Sequence, residues 1–163
     1  MRITTILILA ILSFFDLQSQ ATMDVIDEVN LDSLTSLLRI ISGEDSTFVN
    51  DQKVLIQHRA SGMGNDLAAD YIKEKLRQNH IDVLDEPFDG SGRNIIGIKT
   101  GLTNPHDIYL ICAHYDSVTR YCADDNGSGT TAILEIAICR HMADEYPQPF
   151  HLICTSDTNS AEE

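Results

Sequence analysis

The chain has 163 residues, with 25 acidic side chains against 11 basic ones and a formal net charge of −14. That balance argues against nucleic acid or an anionic membrane surface as a partner, because both repel an acidic chain. A hydrophobic fraction of 43%, with no low-complexity tract and no internal repeat, is that of an ordinary globular protein of one domain.

Met1-Arg2 precedes an apolar stretch from Ile3 to Phe15, shorter than the ~20 residues a membrane-spanning helix needs. Ser19-Gln20-Ala21 fits the small-x-small pattern of a cleavage site. Residues 1–21 therefore read as a secretory signal peptide and 22–163 as the mature chain; a retained anchor is the competing reading. Cleavage removes one basic residue, Arg2, and one acidic residue, Asp16, so the charge stays at −14. The expected location is secreted or periplasmic, with no stable membrane association after cleavage.

Asn30 can cap a helix in which Leu31, Leu34, Leu38 and Ile41 share a face, and Gly43 can end it. Glu44 to Asn50 reads as a loop. Asp51 to Ala60 is ambiguous, with a short helix carrying Val54, Leu55 and His58 as one reading. His58 and Arg59 read as surface or packing residues. Ser61 to Asn65 reads as a loop, with Asn65 a candidate N-cap. Leu67, Ala68, Tyr71, Ile72 and Leu76 then mark a helix to about Asn79. His80 falls at its C-terminal end, where a cation suits the helix dipole.

Ile81, Val83 and Phe88 predict a strand broken by Pro87, and Gly90-Ser91-Gly92 a turn. Asn94 to Thr100 predicts a second strand, closed by Gly101, and Asn104-Pro105 another turn. Ile108, Leu110, Ile111 and Cys112 form an apolar run too short for a core helix. Such a run reads as a central strand buried on both faces. Ser128 to about Glu145 predicts a helix that is apolar nearly all round from Ala132 to Cys139, hence mostly buried. Pro147 and Pro149 stop it, and Phe150 to Cys154 predicts a further buried strand. Helix, helix, strands, helix, strand argues for an α/β sandwich with a mixed sheet.

The chemistry concentrates where the apolar run of the central strand ends. His114 and Asp116 stand at its carboxyl end, where open α/β sheets bind ligands. Ala123-Asp124-Asp125-Asn126-Gly127-Ser128-Gly129 follows after a short loop and opens the next helix. Imidazole and carboxylate are the usual protein ligands of a zinc ion without redox work. His114 can give one ring nitrogen to a metal while Asp116 takes the other, which fixes the ring and raises its basicity. Asp125 can use both carboxylate oxygens, one per metal, in a two-metal site. A lone HxD or a lone DD is a polar loop with a helix cap; the two together, between a strand and a helix, point to metal.

The four cysteines, Cys112, Cys122, Cys139 and Cys154, show no CxxC pairing, which argues against a structural zinc. Cys112, Cys139 and Cys154 lie in apolar segments and read as buried thiols. Cys122 lies in the loop beside the proposed site, where it can form a disulfide or add a soft ligand. Paired with His114 it would make a rival nucleophilic reading, but one that leaves Asp124, Asp125, Glu162 and Glu163 without a role.

His114-Tyr115-Asp116-Ser117, the segment Ala123 to Gly129, and Ala161-Glu162-Glu163 together resemble the zinc aminopeptidases of peptidase family M28. The resemblance runs from about Leu31 to the end. It implies a mixed-sheet α/β sandwich of the zinc-exopeptidase type, incomplete at the C-terminus, with 22–163 as the N-terminal part of the peptidase domain. It makes His114 a metal ligand, Asp116 its orienting partner, and Asp125 the bridge between two zinc ions. It makes Glu162 the general base and Glu163 a ligand, and it implies a cis peptide between Asp125 and Asn126. This sequence departs from the family pattern in two ways. Thr155 to Ser160 lengthens the lead-in to Glu162-Glu163, and the family's remaining ligands, an aspartate and a histidine, have no counterpart before Glu163.

The implied activity is metal-dependent hydrolysis of peptide bonds with removal of N-terminal residues. Zinc would polarise the scissile carbonyl and lower the pKa of water. Glu162 would pass the proton to the leaving amine. Two other readings stay open: a carboxypeptidase-like or glutaminyl-cyclase-like relative on the same scaffold, and a truncated, non-catalytic fragment.

Overall fold

A computed structural model of the chain describes residues 26–60, 62–88, 92–100, 108–139 and 150–156. The expected signal peptide and its cleavage site lie outside them. In chain order the elements are α1 (Leu31–Ile41), β1 (Thr47–Val49), β2 (Gln52–Val54), α2 (Gly62–Gln78), β3 (Asp82–Phe88), β4 (Gly92–Lys99), β5 (Tyr109–His114), α3 (Ser128–Ile138) and β6 (Phe150–Thr155). Strands β3 to β6 form one sheet in the order β3-β4-β6-β5. β3 and β6 flank β4 antiparallel, and β5 runs parallel to β6. The expected mixed-sheet α/β arrangement is thus present.

Alternation along the strands decides which face the helices cover. Ile95 and Gly97 of β4 pair with Cys154 and Leu152 of β6, and all four are buried. α2 packs over β3 and β4, and α3 over β5 and β6. A Cβ on Gly97 would lie 3.0 Å from the Ile81 side chain and 3.3 Å from Leu76, so the missing side chain lets α2 sit close on the sheet. Leu37, Ile41, Ile72, Leu76, Ile133 and Leu134 fill the layer between helices and sheet.

α1 begins as its sequence suggests. Asn30 Oδ1 accepts from the backbone N–H of Asp32 and Ser33 at 2.9 and 3.0 Å, satisfying two donors that a helix start leaves open. Glu135, buried in α3, accepts from the Asn30 N–H (2.8 Å) and the Ser33 hydroxyl (2.6 Å). A carboxylate at the positive end of α1 docks the two helices together. Leu31, expected on the packed face, is instead exposed at that first turn, and Leu37 and Ile41 carry the burial.

Several expectations change. Asp51 to Ala60 holds no helix: β1 and β2 form a hairpin whose turn residues Asn50 and Asp51 both take left-handed backbone, with φ of 50° and 60°. That geometry suits the twist of a two-residue hairpin. Pro87 does not break β3; it pairs with Arg93 in an outer strand, where a missing N–H leaves no ladder bond unmade. α2 starts at Gly62, which puts Asn65 inside the helix rather than at its cap. α3 ends at Ile138, because Cys139 leaves helical backbone with ψ of 114°; the rest of the expected helix lies outside the described residues.

β5 is the largest change. Among the described residues it pairs only with β6 and stands at the sheet's edge. Tyr109 and Leu110 are 57% and 58% exposed, where burial on both faces was expected. Cys112 is exposed with them, whereas Cys139 and Cys154 are buried as expected; all four thiols are free. Burial pushes the Cys154 thiol up to about 12, so it stays protonated and behaves as a small apolar side chain.

An ion cluster ties the outer hairpin to α2. Arg93 of β4 grips Asp85 of β3 with two nitrogens, at 2.6 and 3.0 Å, and reaches Asp70 of α2 at 2.9 Å. Lys73 joins both carboxylates at 2.7 and 3.1 Å. The Arg93 guanidinium beside Asp85 outweighs the opposing effect of burial and, with Lys73, holds that carboxyl at about 2.

Candidate metal centre

β5 delivers its last residue, His114, to the carboxyl end of the sheet. Tyr115 continues the ladder by donating its N–H to the Thr155 carbonyl at 2.8 Å. Its ring is fully buried, and its hydroxyl lies 2.9 Å from the Arg93 carbonyl and 3.1 Å from Asn65 Oδ1. Burial of the phenol raises its pKa, so it remains a neutral donor. With Tyr115 locked inward, the alternation of extended backbone sends its neighbours His114 and Asp116 to the opposite side. Thr130, in the first turn of α3, donates its hydroxyl to the His114 carbonyl at 3.1 Å and pins the strand end to the helix.

The His114 ring lies between two carboxylates. Nδ1 is 3.1 Å from Asp116 Oδ1, and Nε2 is 3.1 Å from Asp125 Oδ1. Asp116 is buried, whereas Asp125 is exposed to solvent. One carboxylate therefore holds the inner ring nitrogen, and the outer nitrogen shares the open side with the other.

Asp125 is aimed by a tight turn over Ala123–Gly127 in which Asp125 and Asn126 leave helical backbone. The Asp125–Asn126 peptide is cis, as the resemblance implies. Asn126 Oδ1 accepts the Gly129 N–H at 3.1 Å, and Ser128 donates its hydroxyl to the Asp124 carbonyl at 3.0 Å. A Cβ on Gly129 would lie 2.4 Å from Asn126 Oδ1; glycine is what lets the Asn126 side chain cap α3 in this position.

An imidazole nitrogen and a carboxylate oxygen converging on open space, with the other imidazole nitrogen held by a buried carboxylate, are donors that suit zinc. Of the five residues the sequence points to, His114, Asp116 and Asp125 come together. Glu162 and Glu163 lie outside the described residues, and among the described residues no group of three or more His, Cys, Asp or Glu side chains converges on a metal position. The rival Cys122–His114 pair does not form: Cys122 Sγ faces the Thr119 carbonyl at 3.4 Å, and both His114 nitrogens face carboxylates.

Two residues at the site escaped the sequence reading. Asn65 donates from Nδ2 to the Arg59 carbonyl and to Ser156 Oγ, both at 2.8 Å. Arg59 is fully buried, and its guanidinium donates to the Tyr115, Ile41, Tyr121 and Cys122 carbonyls. Neither is marked by an apolar pattern, because both are polar side chains: Arg59 lies in the loop before α2, and Asn65 in the first turn of that helix on its buried face.

The model of peptidase family M28 matches residues 94–157, from β4 to just past β6, a span that contains His114, Asp116 and Asp125. That stretch of the chain is similar to the family. Over 49 residues it is 51% identical to the aminopeptidase YwaD of Bacillus subtilis, a stretch covering 29% of this chain and 11% of that protein. In fold it resembles a glutaminyl cyclase of Porphyromonas gingivalis, with a TM-score of 0.59 and 23% identity over 80% of this chain. It likewise resembles a Zn-dependent exopeptidase of Parabacteroides distasonis, with a TM-score of 0.54 and 22% identity over 77% of this chain. The chain spans 46% of each of those two structures, less than half their length.

Proposed function

We propose that the chain carries part of the active site of a secreted or periplasmic zinc-dependent exopeptidase that removes N-terminal residues from peptides. The observation that carries this reading is the His114 ring held between buried Asp116 and exposed Asp125. In it His114 Nε2 and an Asp125 oxygen are zinc ligands, and Asp116 orients the ring through Nδ1. Exposed Asp125 would be the carboxylate available to help hold a second ion. When bound, zinc polarises a peptide carbonyl and lowers the pKa of water. Glu162 and Glu163 follow from the family motif as the base, which carries a proton to the leaving amine, and a further ligand.

The family supports hydrolysis of peptide bonds, and the likeness to YwaD supports attack at the N-terminal residue. The likeness to a glutaminyl cyclase keeps a second reading, cyclisation of an N-terminal glutamine by the same kind of site. A peptide is the partner in either case, and the net charge of −14 disfavours nucleic acid. The test is zinc binding by the purified chain, followed by incubation with one peptide beginning in leucine and one in glutamine, with zinc and with a chelator. Zinc-dependent loss of the leucine supports the exopeptidase, and zinc-dependent ring closure of the glutamine supports the cyclase. A chain that binds no zinc, or binds it equally well as His114→Ala, overturns the metal reading.

A further inference from the structure

Among the described residues, one buried cation takes no part in the proposed site. Arg59 is 0% exposed. Burying a guanidinium is unfavourable unless its N–H groups are met, and an apolar side chain would fill the space without that demand. Its hydrogen-bond partners among the described residues are backbone carbonyls. Nε donates to Tyr115 at 2.6 Å, Nη1 to Ile41 and to Tyr121 (3.1 Å), and Nη2 to Cys122 at 3.1 Å. The Arg59 backbone N–H also donates to Ser117 Oγ at 3.0 Å.

These partners are not scattered. Tyr115 directly follows His114, and Ser117 directly follows Asp116. Tyr121 and Cys122 lead into the turn that carries Asp125, and both take left-handed backbone, with φ of 71° and 38°. Non-glycine residues hold such backbone only where their surroundings impose it. Here two of the imposing bonds are the N–H groups of Arg59. Its neighbour His58 adds a β-bridge to Arg120 in the same loop. The Ile41 carbonyl fastens the grip to the C-terminal end of α1, where a cation is favoured.

We infer that Arg59 is a positioning residue for the proposed metal ligands: by gripping both ends of the Tyr115–Cys122 loop, it sets the separation of His114 and Asp125. The inference rests on the metal reading of that pair. Only a planar fork serves all four carbonyls at once. The lysine ammonium is a single point with three donors, and it cannot span acceptors on three segments. Arg59→Lys thus keeps the charge and removes the grip.

The experiment compares wild type, Arg59→Lys, Arg59→Gln, His114→Ala and Arg93→Lys. Arg93→Lys weakens the ion cluster on the outer hairpin and controls for general loss of stability. Three quantities are read: melting temperature, zinc affinity well below melting, and amide hydrogen exchange from Tyr115 to Asp125. Arg59→Lys is expected to speed exchange in that loop and to lower zinc affinity about 10-fold or more, the range seen when a residue behind a ligand is lost. Arg93→Lys should lower the melting temperature and leave zinc affinity unchanged. In the wild type, zinc should slow exchange at Arg59 Nε–H, since coupling between ligand and grip is reciprocal; this readout needs no variant to fold. Wild-type zinc affinity in Arg59→Lys, or no protection of Arg59 by bound zinc, overturns the inference. If the wild type binds no zinc, the metal reading falls by itself. Loop exchange then decides whether Arg59 grips: unchanged exchange in Arg59→Lys overturns the grip as well.

Discussion

His114 Nε2 lies 3.1 Å from Asp125 Oδ1, although a strand end and a loop with left-handed backbone at Tyr121 and Cys122 separate the two residues in the chain. Nothing local forces that meeting. It depends on Tyr115 being anchored inward, on Thr130 holding the strand end, and on the Arg59 carbonyl contacts along the loop.

If the pair binds zinc, the three side chains differ in what their loss does. His114→Ala and Asp125→Ala each remove a ligand and are expected to bring zinc binding near background. Asp116→Asn leaves both ligands but changes what the Nδ1 side of the ring meets, and should cost about 10–100-fold in affinity. Competition with a chromophoric chelator measures all three. Equal affinity in His114→Ala and wild type would exclude the imidazole, and a larger loss in Asp116→Asn than in the other two would reverse the roles.

The ion cluster predicts an acid limit to stability. Asp85, held at about 2 by Arg93 and Lys73, has a folded-state pKa below that of an unfolded aspartate, about 3.9. Its contribution is therefore complete above about pH 4 and disappears as pH falls from about 4 towards 2. Asp85→Asn should melt below wild type at neutral pH, and the gap should close over that window. The check is melting temperature against pH for both chains. A gap that persists at pH 2 would show that lost packing, not charge, sets the difference.

Export is a separate proposal, resting on the apolar run Ile3 to Phe15 and on Ser19-Gln20-Ala21. The mature protein is expected to begin near Thr22 and to lie outside the cytoplasm. N-terminal sequencing of protein from cells settles it, and a mature protein still starting at Met1 would count against cleavage.

Where a local rule was enough, the sequence was legible. The Asn30 cap, the β3–β4 hairpin, the short apolar strands and the HxD and ADDNG segments all follow from neighbours within a few residues. The β1–β2 hairpin was not legible, because Asn50-Asp51 lacks the glycine that usually marks two left-handed turn residues. The edge position of β5 was hidden, since an apolar run shows that a strand wants cover and not which neighbour supplies it. Arg59 was read as surface or packing because charge is the ordinary mark of exposure. Its burial depends on carbonyls from segments far away in the chain, and no pattern around Arg59 encodes them. Glu162 and Glu163 remain expectations from the motif alone, outside the described residues.

The same long-range logic makes Asn65 a test of how the site is supported. Its Nδ2 donates to the Arg59 carbonyl and to Ser156 Oγ, its Oδ1 lies 3.1 Å from the Tyr115 hydroxyl, and the residue is buried. Asn65→Ala leaves the Arg59 carbonyl without that donor, while Tyr115 keeps the Arg93 carbonyl. The expected cost is about 1–3 kcal/mol, that of an unmet buried acceptor. Asn65→Asp keeps the shape but sets an ionised oxygen against the Arg59 carbonyl, so at neutral pH it should cost more than alanine. Burial raises the pKa of the introduced carboxyl in the folded state, so its penalty exists above that pKa and fades as pH falls and the group protonates. Measured as a difference from wild type, which removes the Asp85 effect common to both, the Asn65→Asp deficit should shrink between neutral pH and about pH 4, and the Asn65→Ala deficit should not. A deficit for Asn65→Asp that stays constant with pH would mean that the side chain turns to solvent and that Asn65 does not support Arg59.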